Sequence, residues 1–122
     1  MSKNLSKERG LFGEDIAIKY LLEKGFRVVE RNFHSKFGEI DIIAWKNGLY
    51  YFFEVKYRTT VKWGGAEEAV SSIKKLRLHS TINYWLMKNR IVEECVSGLY
   101  LIAINQNSRS KKPLVKCLNM GL

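Results

Sequence analysis

Proline occurs once in the 122 residues, at Pro113, and no low-complexity tract or internal repeat is present, so nothing marks a linker or a repeat array. Cysteine is scarce too. Cys95 and Cys117 stand far apart with no second ligand cluster near either, which argues against a zinc site and against a disulfide framework. No run approaches the roughly 18 uninterrupted apolar residues a membrane span needs, so no membrane partner is expected. The opening residues Met1-Ser2-Lys3-Asn4-Leu5-Ser6-Lys7 lack the apolar core of a secretory signal, and a cytoplasmic location is expected. Acidic residues are outnumbered, 12 Asp and Glu against 21 Lys and Arg, for a formal charge of +9. That balance suits a polyanionic partner such as nucleic acid without saying what is done to it.

The composition that remains is globular, 46% hydrophobic with 12% aromatics. One domain over residues 1–122 can bury a core without disulfide or metal staples, and a second domain does not fit. From about Ser6 to Lys24 the sequence SKERGLFGEDIAIKYLLEK has helical composition, with Gly25 placed as its C-terminal stop. Phe26 to Phe33 is a short strand candidate, followed by a polar turn at His34-Ser35-Lys36. Two apolar and aromatic runs follow, GEIDIIAWK and LYYFFEVKYR. They are separated by Asn47-Gly48, a dipeptide suited to a type I′ hairpin turn because both positions tolerate positive φ. TTVKWGGAEE reads as a loop given freedom by Gly64-Gly65. A second helix runs from Ala66 or Ser71 through Lys88, and SGLYLIAIN and PLVKCLN read as two more strands. The expected class is α/β, with about five strands in a mixed sheet flanked by helices.

A two-residue loop at Asn47-Gly48 pairs positions whose numbers sum to about 95, the rule for this hairpin type. Asp41 then faces Glu54 and Glu39 faces Lys56. Because side chains alternate, all four charges project from one face. Like charges directly opposite each other are destabilising unless a cation lies between them. A divalent cation resolves that conflict: Mg²⁺ takes one or two carboxylates from protein and fills its other positions with water and phosphate oxygens. Asp41 and Glu54 are the expected metal ligands, for Mg²⁺ or Mn²⁺. Lys56 could hold or deprotonate an attacking water, or neutralise charge building on phosphorus. The bland alternative is a solvated ribbon with an ordinary Glu39–Lys56 cross-strand pair. Against it, both faces of the hairpin are apolar near the turn, with Ile43, Trp45, Tyr50 and Phe52 on one and Ile40, Ile42, Tyr51, Phe53 and Val55 on the other. Such a sheet is expected to be covered on both sides.

At 100° per residue, Glu14 falls within the helical arc of Gly10, Leu11, Ala17, Ile18 and Leu21, so it points toward the core, although Phe12, Ile16 and Tyr20 form a second apolar strip. An acid in an apolar stripe is costly unless paired, and Glu14 is expected at the same charged cleft. Arg58 continues the Glu54–Lys56 face and could meet a neighbouring phosphate. Lys74, Lys75 and Arg77, with His79 nearby, gather positive charge near the start of the second helix and are candidate nucleic-acid contacts, a solvated helix face being the plainer reading. Trp63 could stack on a base or anchor the core. Apolar residues left outside the core could form a homodimer interface.

Four segments carry a resemblance to a known family: GLFGEDIAIKYLLEKGF at 10–26, RNFHSKFGEIDIIA at 31–44, FFEVKYR at 52–58 and AVSSIKKLR at 69–77. Over nearly its whole length the chain resembles the small YraN-type proteins, predicted endonucleases with the PD-(D/E)XK restriction-endonuclease-like fold. More distantly it is similar to archaeal Holliday-junction resolvases. The resemblance implies that Asp41, Glu54 and Lys56 form the D…(D/E)-x-K core, that Glu14 is the helical acid and that Glu39 belongs to a G-E-I-D motif. It implies metal-dependent hydrolysis of phosphodiester bonds, and the expected substrate is DNA, with branched and single-stranded forms among the candidates. One departure stands out: where such proteins usually carry an Arg-Phe-Asp-Val type strand, this chain has Gly98-Leu99-Tyr100-Leu101. Tyr100 thus replaces an expected aspartate. The competing expectation is a nucleic-acid-binding module that keeps the fold and cleaves little.

Overall fold

The computed structural model describes residues 2–59, 71–106 and 112–121, with side chains in the first helix described from residue 12 onward. Helix α1 spans Ser2–Glu23, strands β1, β2 and β3 span Arg27–Ser35, Gly38–Lys46 and Leu49–Arg58, and helix α2 spans Ser72–Asn89. A short 3₁₀ turn at Glu93–Cys95 leads into β4, Val96–Asn105, and β5 spans Leu114–Asn119. The five strands form one mixed sheet in the order β1-β2-β3-β4-β5. All neighbours are antiparallel except β3 and β4, which run parallel. Parallel neighbours need a long crossover, and α2 lies within it. The architecture is the α/β fold expected from the sequence, and it is consistent with a restriction-endonuclease-like core.

The helices end where the chain chemistry permits. Gly25 takes φ 89°, and the Phe26 N–H donates to the Leu21 carbonyl at 2.9 Å, so the chain turns sharply out of α1 into β1. Ser71 caps α2, its Oγ accepting the Lys74 N–H at 3.2 Å. That placement selects the later of the two helix starts anticipated for α2. The alternative at Ala66, the Gly64-Gly65 loop and Trp63 all lie outside the described residues.

The sheet is covered on both faces. Ile43, Phe52 and Leu99 pack with Leu78, Ile82 and Trp85 of α2, while Ile42, Phe53 and Ile102 pack with Ala17 and Leu21 of α1. Burying each of these large side chains contributes roughly 1.5–3 kcal/mol relative to exposure. Strand β3 is therefore hydrophobic on both sides because it is central, not because of any local preference. The first strand differs from expectation at its end. β1 continues through His34-Ser35, and the turn falls at Lys36-Phe37, where Ser35 Oγ accepts the Phe37 N–H at 3.1 Å. A polar residue in an edge strand can stay paired while its side chain faces water, which composition alone does not distinguish from a turn. No helix among the described residues is long and apolar enough to cross a membrane.

Candidate active site

The hairpin turn forms as its residues require, with Asn47 at φ 51° and Gly48 at φ 86°. From Lys46↔Leu49 to Ile42↔Phe53 the register is the expected one. Past Ile42 the ladder stops. Asp41 Oδ2 accepts the Val55 N–H at 2.8 Å, so a side chain satisfies the amide that a strand carbonyl would otherwise take. The alternation of faces breaks here as well: Ile40 packs under α2, whereas Ile42 packs under α1.

This break corrects part of the sequence expectation. Asp41 and Glu54 remain close, but Glu39 does not face Lys56. Glu39 is held by β1 alone, opposite His34, and its carboxylate lies 3.1 Å from His34 Nδ1 at an exposed position. The four charges do not share one flat face. Glu39 lies on the rim, near enough to act on Asp41 and Glu14 through its charge.

Glu54 is the buried centre, 4% exposed. A carboxylate so placed is strongly unfavourable without partners. Among the described residues it has two, both on Oε1: Lys74 Nζ at 2.7 Å and Lys56 Nζ at 3.4 Å. Burial, and next the Glu54 charge, push the Asp41 carboxyl up to about 7, with Glu14 and Glu39 adding to the rise and the Val55 N–H opposing it. Burial and contact with Lys74 hold the Lys56 amine below its ordinary value, against the pull of Glu54. Lys74 goes the other way. Burial alone would lower it, but contacts with Glu54 and Lys56 carry it above the usual lysine range.

Glu14 arrives from α1 and points inward as expected, its side chain only 12% exposed. A Cβ on Gly13 would fall 2.8 Å from Tyr57 Cβ, so glycine lets α1 lie directly on β3 and brings the next residue to the site. Burial raises the Glu14 carboxyl, opposed by Asn32 and Arg31. Among the described residues its Oε1 is buried with no hydrogen-bond partner, and Arg31 Nη2 lies 3.7 Å away, itself engaged by Asp15 at 3.1 Å. An acid with an orphaned oxygen, beside an Asp–Glu pair that raises one member's affinity for protons, suits a divalent cation. Among the described residues no three His, Cys, Asp or Glu side chains are grouped to hold a metal on their own. Mg²⁺ does not require such a group, since water and substrate oxygens commonly complete its shell. Asp41 and Glu54 are the residues that fit it.

The proposed nucleic-acid contacts separate. Lys74 turns into the site. Arg58 is half-buried and donates to the Tyr57 carbonyl at 3.0 Å, Lys75 is half-exposed, and Arg77 is exposed. An open groove of about 410 Å³ runs beside the site, lined by Gly38, Glu39, Ser71, Ile73, Lys74, Arg77 and Leu78. Sequence reasoning missed Arg31 and the Lys74–Glu54 contact, because both depend on how separate elements dock. Tyr100 lies elsewhere: its ring packs 5.5 Å from Tyr51 and 5.8 Å from Phe53, and its hydroxyl is 2.8 Å from Ser97 Oγ. The position filled by tyrosine is thus part of the apolar layer under α1, apart from the acid cluster.

Comparison with known proteins agrees on the family. Residues 13–104 match the model described as "Uncharacterised protein family UPF0102". The chain belongs to the UPF0102 family. This is the YraN-type family whose motifs the sequence carries. A UPF0102 protein of Lachnoclostridium phytofermentans is 45% identical over 87 residues, covering 71% of this chain and 74% of the relative. One from Clostridioides difficile is 42% identical over 86 residues, 70% and 75% of the two chains. One from Shewanella sediminis is 41% identical over 103 residues, 84% and 87%. The UPF0102 match takes in Glu14, Asp41, Glu54, Lys56 and Lys74 together and ends before β5.

Proposed function

We propose that this chain is a metal-dependent nuclease that hydrolyses phosphodiester bonds in DNA, branched or single-stranded, using Mg²⁺ or Mn²⁺ at Asp41 and Glu54. The observation that carries the reading is the buried Glu54 carboxylate with Lys56 3.4 Å away and a proton-hungry Asp41 beside it. Perturbed acids and an amine converging in one place are what acid–base work on a substrate needs. A bound divalent cation would supply Lewis-acid stabilisation of charge on the phosphoryl oxygens. Lys56, whose amine burial pushes below its ordinary value, can hold or deprotonate an attacking water as the water oxygen bonds to phosphorus; the bond from phosphorus to the leaving oxygen breaks, and that oxygen takes up a proton from solvent. Glu14 orients that water from the α1 side.

The groove beside Lys74 carries Arg77 at its wall, a cation that can meet a phosphate backbone, and Lys75 on α2 and Arg58 on β3 are further candidate phosphate contacts. The net charge of +9 predicts affinity that falls steeply with salt. A cytoplasmic location accords with this reading. The test is cleavage of single-stranded, duplex and four-way-junction DNA with Mg²⁺ or Mn²⁺, beside the Asp41→Ala protein. Metal-dependent cutting by the wild type alone supports the nuclease. Tight, salt-sensitive binding with equal, background cutting by both proteins would leave a nucleic-acid-binding module instead.

A further inference from the structure

Among the described residues the closest ionic contact to the buried carboxylate comes from the helix that follows the hairpin in sequence, not from the E-x-K strand. Lys74 Nζ lies 2.7 Å from Glu54 Oε1, against 3.4 Å for Lys56. Both lysines meet the same oxygen, so Glu54 is gripped from its own strand and from across the sheet surface. The reach of Lys74 is fixed at its base. Ser71 accepts the Lys74 N–H and starts α2 at a defined residue, while Leu78, Ile82 and Trp85 bury the turns that follow. A long side chain normally loses much of an ion pair's worth in ordering. Here the partner is nearly inaccessible to water, where a charge-assisted hydrogen bond is strong.

We infer that Lys74 is a positioning residue: it sets the orientation of Glu54 for the divalent cation, and so ties the geometry of the metal site to the docking of α2. The inference rests on the metal-site reading of Asp41 and Glu54 given above. It moves Lys74 out of the set of surface phosphate contacts, where its neighbours Lys75 and Arg77 remain. The two roles make opposite demands. A phosphate contact contributes to nucleic-acid affinity and is indifferent to metal. A positioning residue governs metal binding and the rate at saturation, with little effect on affinity for nucleic acid.

The sign of the metal effect separates positioning from simple charge. Removing a cation beside the site would, by Coulomb's law alone, tighten binding of another cation. If Lys74 positions Glu54, Lys74→Ala should instead weaken Mn²⁺ binding, by about threefold or more in calorimetry, and Lys74→Arg should recover most of it. The saturated single-turnover cleavage rate should fall tenfold or more in Lys74→Ala, with the Kd for nucleic acid changed less than about threefold. Melting temperature checks that each variant is folded, and Lys74→Met, which keeps most of the apolar stem but has no donor, serves if the alanine protein is not. Mn²⁺ binding that is unchanged or tighter in the folded Lys74→Ala or Lys74→Met protein would overturn the inference. A wild-type protein that binds Mn²⁺ but cuts no DNA would sink the nuclease reading while leaving the metal comparison decisive for Lys74. A wild type that binds no Mn²⁺ would remove both.

Discussion

Five residue pairs next to the turn of the β2–β3 hairpin keep an unbroken antiparallel ladder, whereas beyond Phe53 the same two strands part and Asp41 reaches across with its side chain. The turn-side half is apolar on both faces and is pressed between α1 and α2. There a one-residue slip would exchange every buried side chain for its neighbour, so packing pins the register. The far half holds Asp41, Glu54 and Lys56. There β2 and β3 give up pairing with each other while each stays paired with its outer neighbour, and charge and hydrogen bonding decide where the side chains between them go. One hairpin thus contains a rigid part that aligns the strands and a part released from the ladder that can shape a site.

The sharpest way to break this comparison is in the rigid half. Phe52 is fully buried against Trp85, their ring centroids 5.5 Å apart. Phe52→Ala should cost about 3–5 kcal/mol in urea unfolding, the usual range for such a truncation. In the far half the loss should be of rate instead of stability. Lys56→Ala should slow single-turnover cleavage by on the order of 10²–10³, as for removal of a group acting on transition-state charge, with nearly unchanged melting and nucleic-acid binding. A folded Lys56→Ala protein that cuts at the wild-type rate would take Lys56 out of the site.

A comparable effect separates the halves by pH. Asp41 titrates near 7 in the folded chain against an ordinary 3.8, so its contribution to stability is complete below about pH 4 and is lost as pH rises through 7. Asp41→Asn cannot ionise and should escape that loss. In chelator it should gain on the wild type between pH 4 and 8 by on the order of 3–4 kcal/mol, read as a rise in melting temperature. Equal pH dependence in both proteins would show that Asp41 ionises without strain. The least effect is expected at the rim, where the exposed Glu39 carboxylate contacts His34. Glu39→Ala should change stability by less than about 1 kcal/mol and cleavage by only a few-fold. A hundredfold loss of cleavage would return Glu39 to the centre of the site.

The same division explains what could be read from the sequence. Asn47-Gly48 and the flanking aromatics carry the turn, the register and the central strand, because period and turn chemistry are local. Glu14 is legible through its place in a helical stripe, and Asp41, Glu54 and Lys56 through spacing and the resemblance to a family. Glu39 is not, because extending the pairing rule past Ile42 assumes a ladder that the structure ends there. Lys74 and Arg31 are not either: one depends on where α2 begins and how it docks, the other on an irregular edge strand with a register shift after Val28 and a positive φ at Asn32. Those are properties of packing between elements, to which periodicity within one element is blind.

The bond from Asp41 to the Val55 N–H has a practical consequence. It couples one backbone proton to one side-chain carboxylate, so the site has a built-in spectroscopic reporter. In a nitrogen–proton correlation spectrum the Val55 resonance should shift with the same midpoint as Asp41 titrates. It should also move when Mn²⁺ or Mg²⁺ draws on that carboxylate, the paramagnetic ion broadening it as well. A single amide signal of the nitrogen-15 protein would then follow the state of the acid cluster without an attached probe and without substrate.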